Sequence, residues 1–325
     1  MIGFTSGMLA TDHSMEVTYN ESFEKYNIED GHFRLSAAPD ESFIKSIEDE
    51  NDVKLYDISY KEVTAGKNKY RIFVNREKVN KASLMDGRLP EKSDELGIDR
   101  LFAKNNSLKI GDTVKLKGKS FKIVGLIALS DYSALFPKNT DTIFNAQDFT
   151  VATVTNEGFD RLSDAATTPV FAWKNSKNLS ETKQKKLYDD LAKYIAVKAA
   201  YQQITLDEFI PAKENQAIIF TGNDMGRDQS VILVLLAIVM IIMAFIFAIT
   251  TLSMIDKESK SVGTLLESGY TRAELTWHYM RIPILISLLS AILGNILGYT
   301  YFKGLVAGLY YNSYSLPPFK MTWSF

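Results

Sequence analysis

An α+β extracytoplasmic domain joined to transmembrane α-helices is the fold class that three observations predict. The first is Val231–Ile255, an apolar run without a charged side chain, bounded by Arg227 and Asp228 before it and by Asp256, Lys257 and Glu258 after it. The second is a further apolar stretch, Pro283–Phe302, reached after a short polar interval. The third is the contrast with Asp12–Asp228, which is polar, charged and mixed in periodicity, so that mean hydropathy over the chain is near zero.

Within Asp12–Asp228, Asp40 is placed to cap a short helix whose Phe43, Ile44 and Ile47 share one face. Val53–Val63 and Lys69–Val74 are expected to be strands. Thr113–Lys117 and Phe121–Leu129 read as a hairpin: Val114 and Leu116 alternate with polar residues, and Lys117–Ser120 with Gly118 makes the turn. Ser180 is expected to cap a longer helix with Leu187, Leu191, Tyr194 and Ile195 on one stripe and its lysines and aspartates on a solvated face. Asn223, Asp224, Gly226 and Asp228 are oxygen-rich but lack calcium-loop spacing, and a turn before a membrane helix accounts for them better.

At helical rise Val231–Ile255 is long enough to cross a hydrocarbon core about 30 Å thick. Its sixteen Leu, Ile, Val and Phe residues favour insertion by at most about 5–10 kcal/mol in sum. A buried core helix of a soluble domain is the competing reading, but such helices seldom run this long without a charge. Pro283–Phe302 is weaker, with ten such residues and about 3–6 kcal/mol. Its Pro283 is expected in the first turn of a helix. Gly294 and Gly298 lie four apart, on one face, where they would let another helix approach; chance is the competing account of the pair. Asn295 would seek a partner on a neighbouring helix.

Between the spans, Lys257–Ser268 has Val262, Leu265 and Leu266 at amphipathic spacing, and it is expected to be a short helix lying across the membrane surface. Gly269 closes it in a left-handed turn, and Thr271 with Glu274 has capping-box spacing for the next helix. Trp277, His278 and Tyr279 suit an interfacial belt. Four basic residues, Lys257, Lys260, Arg272 and Arg281, lie in Asp256–Arg281, against Arg227 and Lys303 near the opposite ends of the spans. That bias places Asp256–Arg281 in the cytoplasm and the large domain outside.

The chain carries a net charge of −2, which leaves no electrostatic footprint for nucleic acid. It has no cysteine, which excludes disulfides and thiol chemistry. Its three histidines, His13, His32 and His278, are widely separated, and no zinc-protease, nucleophile-elbow or nucleotide-binding motif occurs. No catalytic residue, metal site or cofactor is therefore assigned, and an enzyme is not expected. Met1–Ala10 lacks the marks of a signal peptide. It reads as the outer tail of a preceding membrane helix, so the chain is expected to be a piece of a longer membrane protein.

A family resemblance gathers these readings. Lys257–Leu275, "KESKSVGTLLESGYTRAEL", is similar to the motif of FtsX-type ABC-transporter permeases. Leu84–Pro90, Asp94–Ile98, Leu108–Val114 and Lys122–Ile127 resemble that family's MacB-like extracytoplasmic core domain. Tyr310–Pro318 resembles the long permeases of Gram-positive bacteria. The resemblance implies a four-helix unit with the large domain between its first two helices, of which the two spans would be the second and third, the fourth following Phe325. It implies three regions: a tail at 1–11, the core domain at 12–228, and a membrane region at 229–325 with helices near 231–255 and 283–302 and a coupling segment at 256–281. It also implies that Glu258, Gly263, Leu265, Leu266, Gly269 and Tyr270 dock on a separate cytosolic ABC ATPase, which would bind the ATP.

The function this implies is that of a permease subunit in the plasma membrane of a bacterium. It would couple ATP hydrolysis to export of a lipid, peptide or drug, or to force transmission. Its partners would be the ATPase, a second permease copy or half, membrane lipids and an extracytoplasmic protein. The alternative is a membrane sensor whose outer domain recognises an envelope component or peptide.

Overall fold

The structure, a computed structural model, describes residues 2–177 and 180–319. Met1 in the expected outer tail and 320–325 in the expected membrane region lie outside the described residues. The chain forms two compact units, one of residues 2–15 and 224–308 and the other of residues 16–223 and 309–319.

In chain order the first elements are α1 (Ile2–Lys25), β1 (Gly31–Leu35), α2 (Glu41–Glu50), β2 (Val53–Asp57), β3 (Tyr60–Ala65) and β4 (Asn68–Val74). They are followed by β5 (Ala82–Gly87), β6 (Glu95–Asp99), α3 (Arg100–Asn105), β7 (Thr113–Leu116), β8 (Lys119–Leu129) and β9 (Phe149–Val154). Then come α4 (Asn156–Asp160), β10 (Thr167–Thr168), β11 (Val170–Asn175), α5 (Glu181–Tyr201) and β12 (Leu206–Pro211). The last are α6 (Gln216–Glu267), α7 (Arg272–Leu297), a π turn at Gly298–Phe302 and α8 (Lys303–Ser313).

The unit of residues 16–223 and 309–319 holds two sheets. One has the order β12-β1-β11-β2; the other has the order β10-β3-β4-β9-β6-β8-β5, with β7 paired to β8. The larger sheet is mixed, since β4 runs parallel to β9 and β6 parallel to β8. This mixture of helices and sheets is the α+β domain that the periodicity predicts.

Local chemistry explains several elements. The Asp40 carboxylate accepts from the Phe43 N–H at 2.9 Å, and Phe43 and Ile47 go into the core one turn apart. In α5 the buried residues are Leu191, Ile195 and Ala199, one helical face at spacing four; Ser180 stands at its N-cap without a side-chain bond. The β7–β8 hairpin turns through Lys117 and Gly118, both at positive φ (48° and 75°), the pairing that matches strand twist in a two-residue loop.

The stretch Val53–Val63, expected as one strand, is two. β2 pairs with β11 in the smaller sheet and β3 with β4 in the larger, and the chain changes sheets at Ile58–Ser59. A second crossing runs beside it at Pro169, where the Val170 N–H donates to Ser59 Oγ at 3.2 Å. Alternation along one strand cannot reveal such a change of partner, because both halves keep one buried face.

Each sheet has its own core. Ile72, Ile98, Phe102, Phe121, Ile127 and Val151 anchor the larger one. Phe33, Phe43, Ile47, Trp173, Leu191 and Ile195 anchor the smaller, where the Trp173 ring lies so close on Gly31 that a Cβ there would enter the ring. Residues 309–319, part of the stretch expected as the membrane region, cluster with this unit. Leu316 is fully buried, Tyr314 packs on Phe144 at 5.6 Å, and the Ser315 N–H donates to the Ser133 carbonyl at 2.8 Å. Asp99 caps α3 and also accepts from Ser315 Oγ.

The other unit is built from helices. Among the described residues two helices are long and apolar enough to cross a membrane, Gln216–Glu267 and Arg272–Ser313, the second counted through the π turn, and most of each lies in this unit. Only 6% of the most apolar window of each is buried, so neither is the core helix of a soluble domain. Phe245 and Ile249 are each 66% exposed, which in water would be costly over so many residues.

Candidate functional site

The segment between the two long helices is the candidate site, and the helix entering it differs from expectation. Lys257–Ser268 is not a separate surface helix: α6 runs unbroken from Gln216 to Glu267, 52 residues. The amphipathic spacing of Val262, Leu265 and Leu266 is present, but nothing between Ile255 and Lys257 interrupts the hydrogen-bond ladder. The expected turn at Asn223–Asp228 is likewise inside α6.

The turn itself is closed on both sides. Gly269 has φ +98°; its N–H donates to Leu266 at 3.1 Å and the Tyr270 N–H donates to Leu265 at 3.2 Å. This is the two-bond Schellman closure, and it satisfies carbonyls that a helix end leaves open. Thr271 then starts α7 with a full capping box: its Oγ1 accepts from the Glu274 N–H at 3.3 Å, and the Glu274 carboxylate accepts from the Thr271 N–H at 2.8 Å.

A third tie joins the two helices. The Tyr279 hydroxyl donates to Glu258 Oε2 at 2.6 Å, across 21 residues of sequence. The sequence suits Tyr279 to an interfacial belt, and no spacing rule pairs it with Glu258.

The predicted docking residues divide by environment. Leu265 is half-buried, whereas Leu266 (38%) and Tyr270 (52%) are exposed. Gly263 has open space where a Cβ would stand, so packing within the chain does not require glycine there. Glu258 and Gly269 are held by the bonds just described. The elbow therefore presents a small apolar surface, with charged side chains of both signs around it, on a firmly closed turn.

Gly294 and Gly298, predicted as helix-packing positions, lie against the start of α1. A Cβ on Gly294 would meet Ile2 Cγ2 at 2.7 Å and the Gly3 nitrogen at 3.1 Å; on Gly298 it would meet the Gly3 carbonyl at 2.8 Å and the Gly7 nitrogen at 3.0 Å. The partner stripe, Gly3 and Gly7, has the same spacing of four. Residues 2–10, expected as a tail, are thus helical and packed, and the helix continues past residue 11. Asn295 bonds to the Ala291 carbonyl of its own helix at 2.8 Å, not to a neighbour. Pro283 lies well inside α7, where it removes one ladder bond, a loss tolerated in membrane helices.

Among the described residues, no group of three or more His, Asp or Glu is placed to hold a metal ion. The elbow pairs no nucleophile with a base.

Comparison with known proteins bears on this segment directly. The family model described as FtsX-like permease C-terminal matches residues 233–325, which contain the elbow entirely. Comparison with curated proteins gave no match. Two solved structures resemble the chain at 11% identity and a TM-score of 0.30. One is the extracellular domain of the noncanonic ABC-type transporter YknZ from Gram-positive bacteria, with 55% of this chain covering 100% of that one. The other is the periplasmic region of MacB from Actinobacillus actinomycetemcomitans, with 55% of this chain covering 89% of that one. From within α6 through the elbow and α7, the chain is similar to the C-terminal region of FtsX-like permeases.

Proposed function

We propose that the chain is the permease subunit of an ABC-type complex and that a separate ATPase docks on the elbow. The observation that carries this reading is the exposed pair Leu266 and Tyr270 beside the open face of Gly263, on a turn locked by three sets of hydrogen bonds. A surface that must transmit a push has to be apolar enough to bind and stiff enough not to absorb the displacement. The Lys257, Lys260, Arg272 and Arg281 bias supports a cytoplasmic position for this surface, with the α+β domain outside.

In this mechanism, closure of the ATPase displaces the elbow and α6 carries the displacement as a rigid element. The product is export of an apolar solute or force on an external partner. Few polar side chains lie in the spans, so a hydrophilic conduction path is disfavoured. The test is purification of the full chain from bacterial membranes, with and without Leu265→Asp/Leu266→Asp. Recovery of an ABC ATPase with the unaltered chain alone is expected. Equal recovery with both would move the contact elsewhere, and recovery with neither would end the permease assignment.

A further inference from the structure

A cavity of about 220 Å³ lies within the α+β unit where its two sheets face each other, and nothing in the permease reading uses it. Strand alternation supplies its walls. His32 and Arg34 are two apart on β1, Tyr60 and Glu62 two apart on β3, and Arg71 comes from β4 and Glu208 from β12.

The wall is polar and fixed. Arg71 donates to Glu62 at 2.7 Å, to the Tyr132 hydroxyl at 2.8 Å and to the Pro137 carbonyl at 2.7 Å. His32 Nδ1 meets Glu29 Oε1 at 2.5 Å, and Asn80 holds the other oxygen of Glu29 at 2.6 Å. Burial works against both charges of that pair, but their attraction and hydrogen bond prevail, raising the imidazole and lowering the carboxyl from their ordinary ranges.

Several groups remain unengaged. Arg34 bonds through Nε to Glu208 Oε2 at 3.1 Å and approaches Asp207 through Nη1, which leaves Nη2 and Glu208 Oε1 open. His32 Nε2 and the Tyr60 hydroxyl have no hydrogen-bond partner among the described residues. Unmet donors stand beside unmet acceptors on one wall. A bare anion or cation would meet as much repulsion as attraction there, whereas a molecule carrying both charges would not. The volume lies below the range of drug-sized pockets.

We propose that this cavity binds a small zwitterion of the amino-acid or dipeptide class, its carboxylate on Arg34 Nη2 and His32 Nε2 and its ammonium on Glu208 Oε1. The paired groups behind them keep the wall in place before the ligand arrives, so little ordering is required on binding. The assignment stands whether the complex moves a solute or only responds to one.

The experiment is isothermal titration of the detergent-solubilised full chain with each common amino acid, glycylglycine, acetate and ethylammonium. At least one zwitterion is expected to bind, with acetate and ethylammonium each weaker by about tenfold or more, as loss of one charge-assisted bonding group implies. Arg34→Gln and Glu208→Gln, at partly exposed positions, are expected to fold and to weaken binding about tenfold each. Absence of binding by every zwitterion up to about 10 mM would overturn the proposal. So would acetate binding as tightly as the best zwitterion, or unchanged affinity in both folded variants.

Discussion

Replacement of Gly269 tests the elbow most directly, because three substitutions there make graded demands on one backbone angle. The residue sits at φ +98°, and its N–H donates to Leu266 at 3.1 Å. Asparagine enters left-handed conformations readily and keeps the N–H, so Gly269→Asn is expected to change little. Alanine keeps the N–H but crowds its Cβ, at about 1–2 kcal/mol, which shifts the balance between this turn and a frayed one by roughly 5–30-fold. Proline fixes φ near −65° and has no N–H, so Gly269→Pro cannot form the turn and loses a bond worth about 1 kcal/mol besides. The assay is stimulation of the partner ATPase by the reconstituted permease, with binding measured in parallel. The expected order is glycine and asparagine, then alanine, then proline with stimulation lost. Full stimulation by Gly269→Pro would refute the argument that this turn transmits the ATPase stroke.

Three further outcomes are expected. Glu95 is held by Arg88 at 2.5 Å and by the N–H groups of Glu91 and Lys92, which lower its carboxyl to about 2. Its stabilising effect is therefore present above the ordinary carboxylate range near pH 4.5 and lost as pH falls toward 2; denaturant unfolding between these values should show a shallower acid loss in Glu95→Gln. Gly31→Ala would push a methyl into the Trp173 ring and should cost about 1–3 kcal/mol in the same measurement, whereas Gly66→Ala, with open space around it, tests only φ. Gly298→Val should lower thermal stability of the solubilised chain by a similar overpacking cost of about 1–3 kcal/mol, because Gly3 and Gly7 leave no room; an unchanged unfolding temperature would mean that the α1 crossing does not form.

What was legible in the sequence was local. The Asp40 cap, the Lys117–Gly118 turn, Gly269 and the Thr271–Glu274 box each depend on residues within four positions, and each is present. The α+β class followed from mixed periodicity, and the long helices from uninterrupted apolar residues. Contacts between distant segments were not legible. Tyr279 gave no sign of reaching Glu258, and the change of sheet at Ile58–Ser59 depends on partners more than a hundred residues away. Helix continuity differs from expectation for another reason: Asp224 and Gly226 favour turns in isolation, but tertiary context overrides so weak a preference. The Gly3–Gly7 spacing was readable once Gly294 and Gly298 had been singled out, since a small-residue stripe needs a counterpart.

The return of residues 309–319 to the α+β unit makes that unit discontinuous in the chain, its two parts separated by both long helices. On a ribosome, residues 16–223 are complete well before Tyr314 and Leu316 exist. Until those arrive, Phe144 and Phe220 lack a neighbour and Arg100 lacks the carbonyls of Tyr311 and Tyr314 that it later grips. Final closure of the domain therefore waits on synthesis of α6 and α7, which in the proposed permease would tie its maturation to membrane insertion. A recombinant fragment ending at residue 223 would carry that exposed aromatic surface permanently, and adding residues 309–319 as a peptide is the natural way to cover it.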